Sequence, residues 1–516
     1  CERQDCCGEA VVVATDPTLS RVRRLRRERQ RGNVSDLRYT VYSSIMLLLI
    51  VGIPAFRMLV LELSSAEGVA VLTSPIAPQI LAAIAGSSCA ALVLLGRIRG
   101  PALVDAFAAE VVASNHLPRR QTLRRTFLRS AAVLVLTCML SAVVAVSALA
   151  VAGIATASTA VVFVVGAVLL GILASVGWLL GQSVLPRSSR WVAAAIAVTA
   201  LLAAVIPGAL AALPWGWVAL LYPGDTPPSA LALVPLVVLV AIAGCAVPPL
   251  LDNIRGGELR VQARRWSNAT TFAATADVAG GLAELRALPT GGRGWFAVRN
   301  APLAVLILVR DLVGSLRSPE RPITAALALV VAGFALASVS VVPPALAWIT
   351  AVFGATVAFL ALGVWSDGFR HAAETVHELP LYGFAIAKQF ALHSLLPIVG
   401  VIVFVGAGAT AALAVGATAA SVSMSIVFAL FVIAIRIMSA TKGRMPLALL
   451  TPIPTPVGDF SGLVVAFWQA DALLVTATVS VIVTAEWLSL PLLVLVLVGA
   501  GAAALVMARR NLQNAR

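Results

Sequence analysis

Residues 115–153 read NHLPRRQTLRRTFLRSAAVLVLTCMLSAVVAVSALAVAG, sixteen residues holding five arginines and then 23 with no charge at all. The uncharged part is long enough to cross a bilayer, whose hydrocarbon core takes about 20 apolar residues as a helix rising about 1.5 Å per residue. Lipid offers no partner for backbone N–H and C=O groups, so a span must be a helix or a closed barrel. Barrel strands alternate apolar and polar residues, which this run does not do. The stretch is therefore a transmembrane helix entered from an arginine-rich segment.

Eleven further runs of the same kind accompany it. The twelve lie at about 40–62, 77–96, 131–153, 159–182, 191–213, 229–251, 322–342, 345–364, 390–412, 417–438, 462–485 and 488–508, with a tight turn at Val342-Pro343-Pro344. The chain is 60% hydrophobic and only 12% charged, outside the range of soluble domains. The expected class is an all-α polytopic membrane protein.

Charge gives an independent check, because Lys and Arg stay on the cytoplasmic side of short loops. With the N-terminus inside, 36 of the 37 basic residues fall inside and only Arg57 does not, while Glu62, Glu67, Asp225 and Glu486 fall outside. This predicts both termini in the cytoplasm. The net charge of +14 is dispersed along one membrane face rather than gathered on a nucleic-acid-reading module, and it suits anionic lipid headgroups.

The organisation that follows is a basic tail with an interfacial helix (1–38), a first six-helix half (39–251), a cytoplasmic linker with a second interfacial helix (252–321), a second six-helix half (322–508) and a short tail (509–516). The halves read as parallel repeats related by an axis along the membrane normal. His116-Leu117-Pro118 and Phe127-Leu128-Arg129-Ser130 before the third span are echoed by His377-Glu378-Leu379-Pro380 and Phe390-Ala391-Leu392-His393-Ser394 before the ninth. Residues 19–38 and 301–318 each place an apolar stripe among charges, as expected of helices lying along headgroups.

Chemistry is sparse. GxxxxGK[ST] is absent, and the only lysines, Lys388 and Lys442, lie outside any glycine-rich loop, so the chain has no P-loop of its own. His371, Glu374 and Glu378 share a helical face, but a solvated amphipathic helix explains them better than a metal, and no metal, cofactor-binding or catalytic residue is assigned. Cys89, Cys138 and Cys245 sit in spans as small hydrophobes, and Cys1, Cys6 and Cys7 in the inside tail. Asp471, with Gln469 and Trp468, is the conspicuous intramembrane acid: a candidate polar site, or half of an inter-helix contact nearer the inner interface. Prolines 54, 207, 235, 248, 249 and 397 predict kinks, Gly177 and Gly181 a close helix contact, and Trp215, Trp217, Tyr222 and Trp487 an outer aromatic belt.

This layout resembles the membrane subunits of ABC exporters of the type 2 class, in the fused form with two six-helix halves seen among actinobacterial permeases. The features carrying the resemblance are the interfacial helix before each half and the charged segment between its second and third helices. It implies that 115–130 and 377–394 are coupling segments docking on a separate cytoplasmic ATPase, expected as a dimer that supplies ATP and Mg²⁺. The residues concerned would be His116, Pro118, Arg119, Arg120, Arg124, Arg125, His377, Glu378, Pro380 and Lys388. It further implies a non-enzymatic permease in a bacterial plasma membrane, exporting a hydrophobic or amphipathic compound by alternating access. A major-facilitator-type secondary transporter, or a membrane scaffold without transport, are the alternatives.

Overall fold

The computed structural model describes residues 34–514 apart from 115–117, 225–227, 275–279, 282–283, 286–291, 293, 297–299, 343, 378–384, 444, 452–453, 456–457 and 485–488. The first predicted interfacial helix up to residue 33, Cys1, Cys6 and Cys7, Pro343 of the Val342-Pro343-Pro344 turn, and His116, Glu378, Pro380 and Trp487 thus lie outside the described residues. The chain divides into two units that meet between Leu61 and Glu62.

In the first unit, α1 (Val34–Leu47) runs through a π-turn (Leu48–Gly52) into α2 (Ile53–Leu63), making one span from Val41 to Leu63. Pro54 explains the wide turn. Its ring lacks an N–H and crowds the carbonyl four residues back, and a turn with one extra residue relieves both.

The second unit begins with α3 (Ala66–Leu72), capped by the Ser65 hydroxyl on the Gly68 amide, followed by α4 (Ala77–Ile98), α5 (Ala106–Ser114) and α6 (Arg119–Val151). Next come α7 (Ala157–Ser183), α8 (Pro186–Val205), α9 (Pro214–Leu220), α10 (Leu233–Asp252) and α11 (Gly256–Ala274). Then α12 (Leu303–Leu316) precedes α13 (Glu320–Ser338), α14 (Pro344–Leu362), α15 (Asp367–Glu374), α16 (Ile386–His393), α17 (Leu395–Gly400) and α18 (Gly406–Ala411). The last three helices are α19 (Ala419–Thr441), α20 (Ser461–Val483) and α21 (Leu490–Asn514). A two-residue antiparallel bridge, β1 (Pro454–Thr455) with β2 (Gly458–Asp459), joins α19 to α20.

Among the described residues ten helices are long and apolar enough to cross a membrane, and eleven if α14 and α15, bent by 58°, form one broken span. The protein is an all-α, polytopic membrane protein. The fifth expected span, α8, is 20 residues long and ends earlier than expected. The sequence pattern ran to residue 213, but α8 ends at Val205 and a 3-10 turn (Pro207–Ala211) follows, since Pro207 removes a helical N–H. The ninth runs from Ile386 to Val415, broken at Ser394 ahead of Pro397 and widened by a π-turn at Val401–Val405.

Packing is close where glycine permits. Gly96 of α4 meets the Trp178 carbonyl, and Gly181 of α7 meets the Val93 carbonyl, leaving no room for a Cβ at either. Gly181 is thus the half of the expected Gly177/Gly181 motif that makes the approach. The expected aromatic belt is corrected at two positions. Trp215 and Tyr222 are buried at 6% and 7% exposure, because each finds a polar partner inside the protein. The Trp215 indole donates to the Thr199 hydroxyl at 3.2 Å and the Tyr222 hydroxyl to the Leu72 carbonyl at 3.0 Å. Burial pushes the Tyr222 phenol up to about 12, so it remains a donor at neutral pH.

Two hairpins share one turn. After α6, Gly153 adopts φ +77°, Gly153 N bonds Ala150 O, Ile154 N bonds Leu149 O, and Thr156 caps α7 reciprocally with Thr159. Before α19, Gly416 adopts φ +97°, Gly416 N bonds Leu413 O, Ala417 N bonds Ala412 O, and Thr418 caps α19 reciprocally with Ser421. Both are Schellman endings followed by a capping box, and only glycine takes the left-handed position without strain.

Candidate functional site: the polar junctions at the basic helix ends

The expected coupling segment 115–130 is, from Arg119 onward, part of α6 itself. At 33 residues α6 is about 50 Å long, far more than the hydrocarbon core requires. Leu123 and Phe127 are buried one turn apart, against Leu179, Leu251, Ile254, Leu259 and Ala263. The start of α6 is held by the end of α10 and the turn that follows it. The Arg119 guanidinium donates to the Ile254 carbonyl, and the Arg120 amide donates to Asp252 Oδ1 at 2.8 Å while its Nε lies 3.7 Å from Oδ2. Pro118 has no side-chain oxygen to offer the orphan amides of the first turn, so Asp252 caps α6 from α10.

α11 closes over this elbow. Glu110 of α5 accepts from Arg260 at 3.0 Å and Arg264 at 3.4 Å. The last turn of α4 leaves the Gly96 and Arg97 carbonyls unpaired along the helix, and Gln262 Nε2 donates to them at 3.3 and 2.8 Å. Gln262 Oε1 in turn accepts from Gln182 Nε2 at 3.2 Å, and Gln182 Oε1 takes the Ala102 amide at 3.1 Å. The Arg99 guanidinium lies 4.3 Å from the Trp266 ring centroid, and its carbonyl accepts from the Trp178 indole. The clamp had a sequence signal: Leu259, Ala263, Trp266 and Ala269 recur at helical spacing inside what read as a linker.

The chain matches no family model and no curated protein.

The second elbow is built differently. α14 ends in three tight turns, with the Gly363, Val364 and Trp365 amides taking the carbonyls of Leu360, Ala361 and Leu362. The remaining carbonyl of that last turn, Phe359, is taken by Nε and Nη2 of Arg436, whose guanidinium also lies 3.7 Å from the Phe359 ring centroid. Gly363 leaves the space for that guanidinium. A cation at a helix C-terminus also meets the negative end of the helix dipole.

His393, the last residue of α16, is 5% exposed. Its Nδ1 lies 2.5 Å from Asp311 Oδ2 of α12, and Arg310 Nη2 lies 3.4 Å from its Nε2. A carboxylate only accepts, so Nδ1 donates to Asp311, while the Arg310 guanidinium, which can only donate, faces Nε2. Arg310 Nε also reaches Asp311 Oδ1 at 3.4 Å, closing a three-residue ring that ties the second expected interfacial helix to the ninth span. Phe369 stacks on Phe390 beside it, and Arg321 pairs with Asp367 at 3.4 Å. Lys388 is exposed on α16, and His377 lies in a 3-10 turn at Thr375–His377.

Asp471 is paired. Lys442 Nζ lies 2.6 Å from Asp471 Oδ2, donates to the Trp468 carbonyl and sits 4.0 Å from the Trp468 ring centroid. Lys442 follows the last residue of α19, so Asp471, the eleventh of the 23 residues of α20, meets the end of that helix. Gln469 neighbours it in α20. His371 and Glu374 are exposed in α15, and among the described residues three or more His, Cys, Asp or Glu gather nowhere in an arrangement that could hold a metal.

The junctions thus sort the ionisable groups by role. Arg119, Arg120, Arg436, Lys442, Asp311 and His393 hold helix ends together. Arg124, Arg125 and Arg129 stand exposed on the protruding part of α6.

Proposed function

We propose that the chain is the membrane subunit of an ATP-driven exporter in a bacterial plasma membrane, with both termini cytoplasmic and a separate ATPase dimer docking at its basic face. In this reading the spans are arranged as two parallel halves, and the matching turns at Gly153 and Gly416 support it. The observation that carries the proposal is α6. One unbroken helix runs from the arginines at its start to the turn at Gly153, clamped at its base by α10 and α11. A push on its protruding end is transmitted along a rigid rod to the far side of the membrane, the movement alternating access needs. The substrate is an apolar or amphipathic compound. The pairing of Asp471 with Lys442 favours this over a proton-coupled carrier that would use Asp471 as its site.

The test is affinity purification of the tagged full chain in mild detergent, with an ATPase assay and mass spectrometry of what accompanies it. A stoichiometric P-loop ATPase with the wild type, lost with Arg124→Glu, is the expected result. Recovery of the chain alone in several detergents would refute it and direct attention to a secondary carrier or a scaffold. Arg119 and Arg120 are poor choices for this test, because their contacts with Ile254 and Asp252 make any change there a change of structure.

A further inference from the structure

The exposed arginines of α6 do not share one face. At 100° per residue, Arg125, Arg129, Val133, Leu136 and Leu140 follow one another in steps of four, four, three and four and form a single stripe. Its apolar members are 66%, 49% and 51% exposed, the surface a span turns to lipid. Arg124 begins a different stripe, which passes through Leu128, 50% exposed, and the half-buried Ala131 and Val135 to Ala142, Val146 and Leu149, buried in the bundle. Arg125 and Arg129 therefore stand beneath the lipid-facing stripe, and Arg124 on a different face whose far end is buried in the bundle.

Depth agrees. Counting about 20 residues back from Val151, the end of α6, places the hydrocarbon edge near Ala131. At about 1.5 Å per residue, Arg129 lies about 3 Å and Arg125 about 9 Å beyond that edge, against a headgroup layer of roughly 5–8 Å on each side. Helical side chains lean toward the N-terminus, which carries the Arg129 guanidinium into this layer, and Arg125 reaches back to it along its aliphatic stem. Two guanidiniums one turn apart, neither in a described ion pair, then meet the phosphates of one leaflet. A guanidinium offers paired N–H donors matched to phosphate oxygens.

We propose that Arg125 and Arg129 form a binding site for the headgroup of an anionic phospholipid in the leaflet on the basic side, distinct from the surface at Arg124 available to a soluble partner. The inference rests on the membrane span alone and stands whether or not the partner is an ATPase. The site fixes the height of α6 in the bilayer, so that a push at its base moves the helix against an anchored level.

The test titrates phosphatidylglycerol into the full chain purified in an uncharged detergent, with bound lipid read by native mass spectrometry. Wild type and Arg124→Gln are expected to bind with the same saturable affinity. Arg125→Gln with Arg129→Gln is expected to bind about thirtyfold more weakly, roughly fivefold for each arginine near an anionic surface. Arg125→Lys with Arg129→Lys should recover part of the loss, and an unchanged melting midpoint in lipid-free detergent shows that the variants are folded. Equal binding by the double Gln variant, or an equal loss in Arg124→Gln, would overturn the proposal. So would inorganic phosphate competing as strongly as the lipid, since that would make the site one for a free anion.

Discussion

Removing Lys442 is predicted to be more damaging than removing Lys442 and Asp471 together. Lys442 is 18% exposed and Asp471 41%, with 2.6 Å between Nζ and Oδ2. Breaking a buried ion pair by deleting one member costs about 3–5 kcal/mol, because the survivor is left uncompensated. Asp471 is more than a third exposed, which places Lys442→Met at the lower end, about 3 kcal/mol. Asp471→Asn leaves the ammonium with the Trp468 carbonyl and ring, and a cation over an aromatic face is worth about 1–2 kcal/mol, so this variant should lose only about 2 kcal/mol. Lys442→Met combined with Asp471→Asn removes both charges and should fall within about 1 kcal/mol of wild type. The coupling energy of the cycle is then about 4 kcal/mol.

The assay is reversible denaturation of the full chain in mild detergent, read by helical circular dichroism. A double variant as unstable as Lys442→Met would refute the reasoning, because the destabilisation would then come from lost packing. Transport measured on the same four proteins separates structure from function. If the pair is an anchor, a stable double variant stays active. If Asp471 carries protons, the double variant is stable and inactive, and the ATP-driven reading fails with it.

Two further predictions follow from the helix ends. Arg436→Met should destabilise by about 2–3 kcal/mol in the same denaturation assay, since the Phe359 carbonyl loses a charged donor and nothing else in the turn replaces it. Arg436→Lys should recover less than half of this, because one ammonium cannot reproduce the two-nitrogen contact, and full recovery would show that charge alone matters. Gly153→Ala and Gly416→Ala should each cost about 1–2 kcal/mol from the left-handed backbone, and Thr156→Ala and Thr418→Ala about 1 kcal/mol as lost caps. Unequal losses at matched positions, read as melting midpoints, would show that the two turns are not under the same constraint.

The spans were legible because lipid imposes a one-dimensional constraint that hydropathy records directly. The same constraint misplaced helix ends. The third span was read from residue 131, where charge stops, yet α6 starts at Arg119, because backbone hydrogen bonding continues past the lipid boundary. The fifth was carried through Pro207, where composition stays apolar but geometry cannot stay helical. The polar junctions were illegible for a different reason. Arg436 finds Phe359, His393 finds Asp311 and Gln262 finds Gly96 only once the helices are packed, and no local spacing announces such pairs. Asp471 could be singled out as costly, but its partner Lys442 read only as a basic residue at the end of the preceding span.

The two elbows answer one physical question in two ways. α4 and α14 both end with carbonyls that their own helix cannot satisfy. At α4 the donor is a neutral amide brought by α11, beyond the sixth span; at α14 it is a guanidinium from α19 within the same half. The first elbow therefore cannot shift without carrying residues 252–274 with it, whereas the second is tied to its own helices and, through His393 and Asp311, to α12. The hairpins match at their Gly153 and Gly416 turns, where only backbone geometry is at stake, and differ at the elbows. Under the proposed function, a push applied to both elbows would be divided unequally, the first passing it to residues 252–274 and the second to α19 and α12.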